Sequence, residues 1–496
     1  MKTRTLLFQI SVVGAMLLGT TTAITAQAIY EDERYVPEPD SLTNVKIKEW
    51  QNLKFGLLMH WGPYSQWGIT ESWSLCPEEY GWCERTKGSN PSDYFTYRKD
   101  YENLQTTFNP VKFDPEKWAK AAKNAGMKYV VFTTKHHDGF NMFDTKYSDY
   151  KITDSKTPFS THPKANVTKE IFNAFRGEGL WAGAYFSKPD WHEPSYWDPY
   201  YTPKDRNVNY DPAENPEKWQ KFIDFTHNQI MELLTDYGKI DILWLDGGWV
   251  AKKPASQITS FYEDALANNE TGYIKSRFVN QDIKMDELVE KARAKQPGLI
   301  VVDRAVHGKN QNYLTPENRV PEKPLPYPWE SCIISGGGWS YAFNAQYMSG
   351  REAIHTLVDI VAKGGNLLLN IAPSGEGEWD AGAYALLEEI GAWMKVNDEA
   401  IYNTHALAPY KFDNIAVTAK EDGSIYLIYM VKEGQTSLPS EIVFPDYQLS
   451  KNIKAKVLGV GGKLTTSKSK EGLVIKLDKK YQDKLLSSPA FVIKLK

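Results

Sequence analysis

Short apolar runs alternate with longer segments of helical spacing from about residue 45 to about residue 398. No other feature restricts the fold as tightly. Strands joined by helical crossovers lie parallel, because each crossover returns the chain to the same end of the sheet. The candidate strands are Leu53–His60, Lys128–Thr134, Trp181–Phe186, Ile240–Leu245, Leu299–Asp303, Trp329–Ile333 and Gly365–Ile371. Between them the spacing predicts helices over Pro115–Asn124, Lys169–Arg176, Pro216–Tyr237, Met285–Lys295, Arg351–Ala362 and Ala381–Lys395. Within Pro216–Tyr237, Trp219, Phe222, Ile223, Phe225, Ile230, Leu233 and Leu234 recur at helical intervals. Gly126, Gly177 and Gly238 stand where helices should end. No GxGxxG follows a strand, so a (β/α)8-type, TIM-like barrel of the α/β class fits better than a doubly wound dinucleotide fold.

After Lys411 the pattern changes. Ile415–Ala419, Ser424–Met430, Glu441–Phe444, Ile453–Leu458, Gly472–Leu477 and Ala490–Leu495 are short alternating runs separated by turn residues. They predict a C-terminal antiparallel β-sandwich. The expected division is a signal peptide over residues 1–28, a catalytic barrel over 29–398 and the sandwich over 399–496. Residues 250–284 read as an irregular insertion after the fourth strand. Lys2 and Arg4, the apolar stretch from Leu6 to Leu18 and the small-x-small Ala26-Gln27-Ala28 mark the export signal. Its apolar run is shorter than the roughly 20 residues a bilayer needs, and no later segment spans one. The mature chain is therefore expected to be periplasmic or secreted. Cys76, Cys83 and Cys332 are too few for a disulfide framework. A Cys76–Cys83 bridge stays open, and Cys332 reads as a buried apolar residue. Lys+Arg 58 against Asp+Glu 62, with no basic stripe, argues against nucleic acid as a partner. The 13% aromatic content instead suits surfaces that stack on flat apolar faces such as sugar rings.

A parallel barrel places its active site at the C-terminal ends of its strands. Those ends carry His60-Trp61-Gly62, His136-His137-Asp138-Gly139, Tyr185 and Asp190-Trp191, Trp244-Leu-Asp246-Gly247-Gly248-Trp249, Asp303-Arg304, and Trp329-Glu330. Asp246 follows an apolar strand and precedes two glycines, a setting for a nucleophile or base, with a helix-capping aspartate as the alternative. The three histidines suit hydrogen bonding to sugar hydroxyls. Adjacent histidines on a strand point to opposite faces, so both reach one site only where the strand ends irregularly. A catalytic metal site and simple core packing remain open for them. Arg304 reads either as a surface ion pair or as a cation that grips substrate and lowers a carboxylate's pKa. Trp61, Trp244 and Trp249 are expected near one rim.

Lys54-Phe-Gly-Leu-Leu-Met-His60-Trp-Gly, Lys135-His-His-Asp-Gly-Phe140, Trp244-Leu-Asp246-Gly and Lys363-Gly-Gly-Asn-Leu-Leu-Leu-Asn370-Ile together resemble the α-L-fucosidases of glycoside hydrolase family 29. The resemblance runs in order over about residues 45–400. Glu71-Ser-Trp73-Ser-Leu-Cys-Pro-Glu-Glu is similar to the branch that prefers fucose on branched oligosaccharides. The resemblance implies that Asp246 is the nucleophile. It implies a fucose pocket lined by His60, His136, His137, Tyr185, Trp244 and Arg304, with Trp339 against the sugar's methyl group and Glu71 and Trp73 as further contacts. It implies Glu317 as the general acid/base, with Glu330 as the competitor. It requires no cofactor and no metal.

The activity so implied is a retaining exo-acting α-L-fucosidase that removes terminal α-L-fucosyl residues, α-1,3- or α-1,4-linked, from branched oligosaccharides or glycoconjugates. Three alternatives stay open: an α-L-galactosidase or related exo-glycosidase on the same scaffold, a non-catalytic carbohydrate-binding protein, and a metal-dependent hydrolase.

Overall fold

The computed structural model describes residues 35–77, 82–268, 278–445 and 453–496. The expected signal peptide lies outside them. Seven parallel strands form one curled sheet: β1 (Phe55–Met59), β2 (Tyr129–Lys135), β3 (Trp181–Ser187), β4 (Ile242–Asp246), β5 (Ile300–Asp303), β6 (Glu330–Ile334) and β7 (Asn366–Asn370). Their order is β5-β4-β3-β2-β1-β7-β6. Each overlaps one of the expected runs. Nearly every residue in them is buried, as strands covered on both faces require.

The sheet has two open edges, at β5 and β6. The chain between those strands reaches both. Asn312 N donates to Val301 O at 3.0 Å, while Glu330 N donates to Leu314 O at 2.8 Å and Cys332 N to Pro316 O at 3.1 Å. Bridges pair Gln311 with Val302, Leu314 with Trp329 and Glu317 with Cys332. Pro316 lacks a donor, so this stretch cannot sustain a regular ladder.

Period-two alternation sorts the strand residues. Phe55, Leu57 and Met59 face outward into the core shared with the helices. Leu58, Tyr129, Val131, Tyr185, Ile242, Trp244, Ile300, Val302, Cys332 and Leu368 pack together inside the curl. Gly56 belongs to the inner set, and a Cβ there would lie 2.4 Å from the Tyr129 ring.

The helices start where local chemistry favours it. In Pro115–Asn124 the Asp114 side chain accepts the Lys117 N–H at 3.0 Å and Pro115 occupies the first turn. Gly350–Ala362 opens on a capping box between Ser349 and Glu352. Gly126 and Gly238 take the left-handed conformation expected of helix ends, with φ of 95° and 75°. Gly177 instead remains the last residue of Val167–Gly177, and Gly179 makes the turn at φ 80°. Residues 250–284 are not wholly irregular, since Ala255–Ala267 is helical. Only Ala265 of that helix is buried, so it shows no apolar stripe to read.

The C-terminal region forms two antiparallel sheets from β8 (His405–Phe412), β9 (Ile415–Ala419), β10 (Ile425–Met430), β11 (Glu441–Pro445), β12 (Ala455–Val457), β13 (Thr465–Lys468), β14 (Gly472–Lys476) and β15 (Ala490–Leu495). The orders are β12-β15-β10-β9-β8 and β11-β14-β13. Val417, Leu427, Ile442, Phe444, Ile475 and Ile493 share one core between them. Two strands were not expected: β8 is broken by a register shift between Ala406 and Lys411, and β13 is largely polar. Trp393, on the preceding helix Ala381–Asn397, donates to Ala490 O at 2.7 Å and ties these sheets to the parallel-sheet region. The three cysteines are unbridged, so the Cys76–Cys83 alternative falls. Among the described residues no helix is long and apolar enough to cross a membrane.

Candidate active site

The inner phase runs on to the C-terminal ends of the strands, and the inward residues there form the site. His60 follows β1, Tyr185 lies late in β3, Asp246 ends β4, Arg304 follows β5 and Asn370 ends β7. At β2 the ladder shifts between Thr133 and Lys135, and the strand ends at Lys135. His136 and His137 therefore leave regular alternation, and their rings stand 4.2 Å apart on the same side.

Asp246 is the hub. Its Oδ2 accepts the Tyr185 hydroxyl at 2.7 Å and lies 3.9 Å from His137 Nε2. Its Oδ1 accepts Arg304 Nη1 at 3.1 Å. Burial alone would raise its pKa. The Arg304 cation, His137 and the Tyr185 hydroxyl outweigh that and hold the carboxyl well below the usual carboxylate range. Gly247, at φ 85°, turns the chain immediately afterwards, and a Cβ there would meet Pro189 at 2.3 Å.

Arg304 forks between two carboxylates. Its Nη1 binds Asp246, its Nη2 binds Glu317 and its Nε donates to Thr315 Oγ1 at 3.2 Å. The expected competitor, Glu330, sits elsewhere. It is the first residue of β6, at the opposite end of the sheet from Asp246, and is fully buried. Its Oε2 accepts the Tyr129 hydroxyl at 2.5 Å. Burial pushes its carboxyl up to about 7.

The histidines are held neutral. Burial takes the imidazoles of His60 and His137 down to about 4 and holds that of His136 well below its ordinary value. His60 Nδ1 pairs with Asn370 Oδ1 at 3.0 Å, which leaves Nε2 for the site. His136 Nδ1 pairs with Ser72 Oγ. Among the described residues neither ring nitrogen of His137, both buried, has a hydrogen-bond partner.

Aromatic rings wall this cluster. Trp339 lies 5.5 Å from the His60 ring, and Trp73 meets His137 edge-on at 5.2 Å. Trp249 lies 5.1 Å from His137. Trp244 forms the floor, buried and stacked on Tyr185 at 5.1 Å with the Arg304 guanidinium 5.3 Å from its ring. Trp61 is absent from the rim. It follows the inward His60, so it points outward and packs against Phe108, Phe113 and Trp118. Glu71 is buried nearby, and its Oε1 accepts the Ser340 N–H at 2.7 Å. Burial raises its carboxyl to about 8, and the negative charges of Glu317 and Asp246 add to the rise.

Sequence reasoning passed over three supporting residues. Asn370 orients His60, Ser72 orients His136 and Ser340 engages Glu71. Asn370 was within reach, because it continues the inward phase of β7.

The side-chain ligand atoms of His136, His137 and Asp246 lie within 4.8 Å of one another. That spacing would fit a metal ion. However, Asp246 is already engaged by the Arg304 cation and the Tyr185 hydroxyl, and an ion there would compete with them.

The Alpha-L-fucosidase family model matches residues 22–399. The chain belongs to the α-L-fucosidase family. It is similar to the human tissue α-L-fucosidase, at 27% identity over 97% of this chain and 96% of the relative. It is also similar to the human plasma α-L-fucosidase, at 28% identity over 75% and 73%. Among solved structures, the α-L-fucosidase isoenzyme 1 of Paenibacillus thiaminolyticus superposes with a TM-score of 0.70 at 28% identity, covering 92% of this chain and 99% of that one. The Thermotoga maritima α-fucosidase in complex with fucose superposes at 0.67 and 26% identity, covering 93% and 99%. As a member of this family the chain is a glycoside hydrolase that releases fucosyl residues from fucosylated glycans.

Proposed function

We propose that this fucosidase is exo-acting and retaining, with Asp246 as nucleophile and Glu317 as general acid/base. The observation that carries the reading is the Arg304 fork, which holds both carboxylates at one point of the rim. Asp246, ionised by its cationic and hydroxyl neighbours, attacks the anomeric carbon. Glu317 gives its proton to the departing glycosidic oxygen. In the second step Glu317 takes a proton from water, which displaces Asp246 and restores the starting configuration. Retention needs the two carboxyl groups about 5–5.5 Å apart.

His60, His136 and His137 present neutral ring nitrogens to the sugar hydroxyls. The buried, unpartnered nitrogens of His137 favour a ligand that supplies hydrogen bonds. A sugar with the wrong stereochemistry would leave such nitrogens unpaired, at about 1–3 kcal/mol each. The fucose methyl rests on Trp339. Tyr185, stacked on Trp244, holds the nucleophile from below, and Glu71 and Trp73 complete the wall.

The segment 311–317, bonded to both β5 and β6, serves as the eighth stave of a (β/α)8-type barrel and carries the acid/base. The Glu71–Glu79 stretch supports α-1,3- or α-1,4-linked fucose on branched glycans as the substrate. Export through residues 1–28 would deliver the barrel of 29–398 and the sandwich of 399–496 to the periplasm or medium.

Asp246→Gly tests the assignment. Hydrolysis of an aryl α-L-fucoside should fall by about a thousandfold or more. Activity near wild type would exclude Asp246 as nucleophile. Preferential turnover of the α-L-galactoside would move the specificity to that sugar.

A further inference from the structure

The aromatic wall does not stop at the sugar pocket. Trp73, which meets His137 at 5.2 Å, also contacts Trp249 at 5.8 Å and Trp82 at 5.5 Å. Trp82 is 57% exposed. The Arg206 guanidinium lies 5.8 Å from the Trp73 ring and 5.3 Å from the Trp249 ring. A continuous surface thus runs from the neighbour of the nucleophile to solvent. The same segment borders the acid/base. Glu71 feels the charges of Glu317 and Asp246, and Cys83, beside Trp82, feels that of Glu71.

We propose that Trp82 and Arg206, both beside Trp73, form a leaving-group subsite for the pyranose to which fucose is attached. This rests on the fucosidase reading above and extends it to the second sugar. An exo enzyme buries fucose, so the rest of the glycan must lie beyond the wall, and Trp82 is the ring of this string most open to solvent. A pyranose has an apolar C–H face and a hydroxyl edge. The indole offers a flat apolar partner for the first, and the guanidinium offers fixed donors for the second. A leaving group without a sugar ring needs neither.

The test compares kcat/KM for a branched fucosylated trisaccharide with kcat/KM for α-L-fucosyl fluoride, whose leaving group occupies no subsite. Trp82→Ala should lower the trisaccharide value about tenfold, through KM, while the fluoride value stays within about twofold. Trp82→Phe should recover most of the loss, and Arg206→Met should reproduce the selectivity. An unchanged trisaccharide value in Trp82→Ala would overturn the subsite, as would equal losses on both substrates. A wild-type enzyme that hydrolyses neither would instead overturn the fucosidase reading itself, and the subsite with it.

Discussion

Replacing Glu330 by glutamine separates the two carboxylates that compete for the acid/base role. Burial lifts the Glu330 carboxyl from 4.5 to about 7, and hydrogen bonds such as that from Tyr129 only partly oppose the rise. Unfolding returns it to its ordinary value. Between those two pH values the folded chain binds more protons than the unfolded one, so this group's effect is to lower stability as pH rises. A shift of about 2.5 units at about 1.4 kcal/mol per unit amounts to about 3 kcal/mol, lost between about pH 4.5 and 7 and constant above that. Glu330→Gln cannot ionise, so this loss disappears. Urea unfolding of variant and wild type should show their stability difference swinging by about 3 kcal/mol toward the variant between about pH 4.5 and 8. Hydrolysis of an aryl α-L-fucoside by the variant should stay within about tenfold of wild type, since Glu330 lies at the far end of the sheet from Asp246. Glu317→Ala should behave oppositely. Its turnover of a fucoside with a poor leaving group should fall about a hundredfold or more, and added azide should restore part of it. If azide rescues a Glu330 variant and not a Glu317 variant, or if the pH swing is absent, the reasoning is wrong.

Three further outcomes follow from the same geometry. With the imidazoles of His60 and His137 down at about 4, KM for an aryl fucoside should not change on their account from about pH 5.5 to 7 and should rise below about pH 4.5. An inflection at the ordinary histidine value of 6.5 would show one of them titrating normally. Lys135 and Asp190 form a buried pair at 2.9 Å, so Lys135→Met should cost about 3–5 kcal/mol in unfolding free energy, and a Lys135→Met, Asp190→Leu double variant should recover most of it. Added Zn²⁺ should inhibit competitively against the aryl fucoside through His136, His137 and Asp246, and a chelator should reverse the inhibition without lowering the rate of untreated enzyme.

The parallel sheet was readable because its strands are buried on both faces. An apolar run such as Ile242–Leu245 then needs no alternation to be recognised. The elements that escaped lack that signal. Ser41–Leu53 buries only Thr43, Ile47 and Trp50, and the helix Ala255–Ala267 buries one residue. β8 is interrupted at Pro409, and the polar β13 shows no apolar face. The bridging stretch 311–317 escaped for another reason. It makes backbone hydrogen bonds to two strands while running through Pro316, so neither propensity nor periodicity marks it as part of the sheet.

The site divides along the same line. His60, Tyr185, Asp246, Arg304 and Asn370 each continue the inward phase of a strand, so a period-two count from the core leads directly to them. The count also explains why Trp61 left the pocket: one step beyond His60 is the outer face. It fails at β2, where the register shift after Thr133 turns two consecutive histidines to one side. It has nothing to say about Glu71, Trp73, Ser72 and Ser340, which reach the site from outside the sheet. Their placement depends on contacts between segments about 270 residues apart, such as Ser340 N to Glu71 Oε1. The groups proposed to do the chemistry therefore divide into two kinds. Asp246 and Arg304 are set by strand geometry, whereas Glu317 owes its position to the irregular bridging stretch 311–317 and to the fork of Arg304. Changes in loop packing should accordingly move Glu317 and the outer wall before they move the nucleophile.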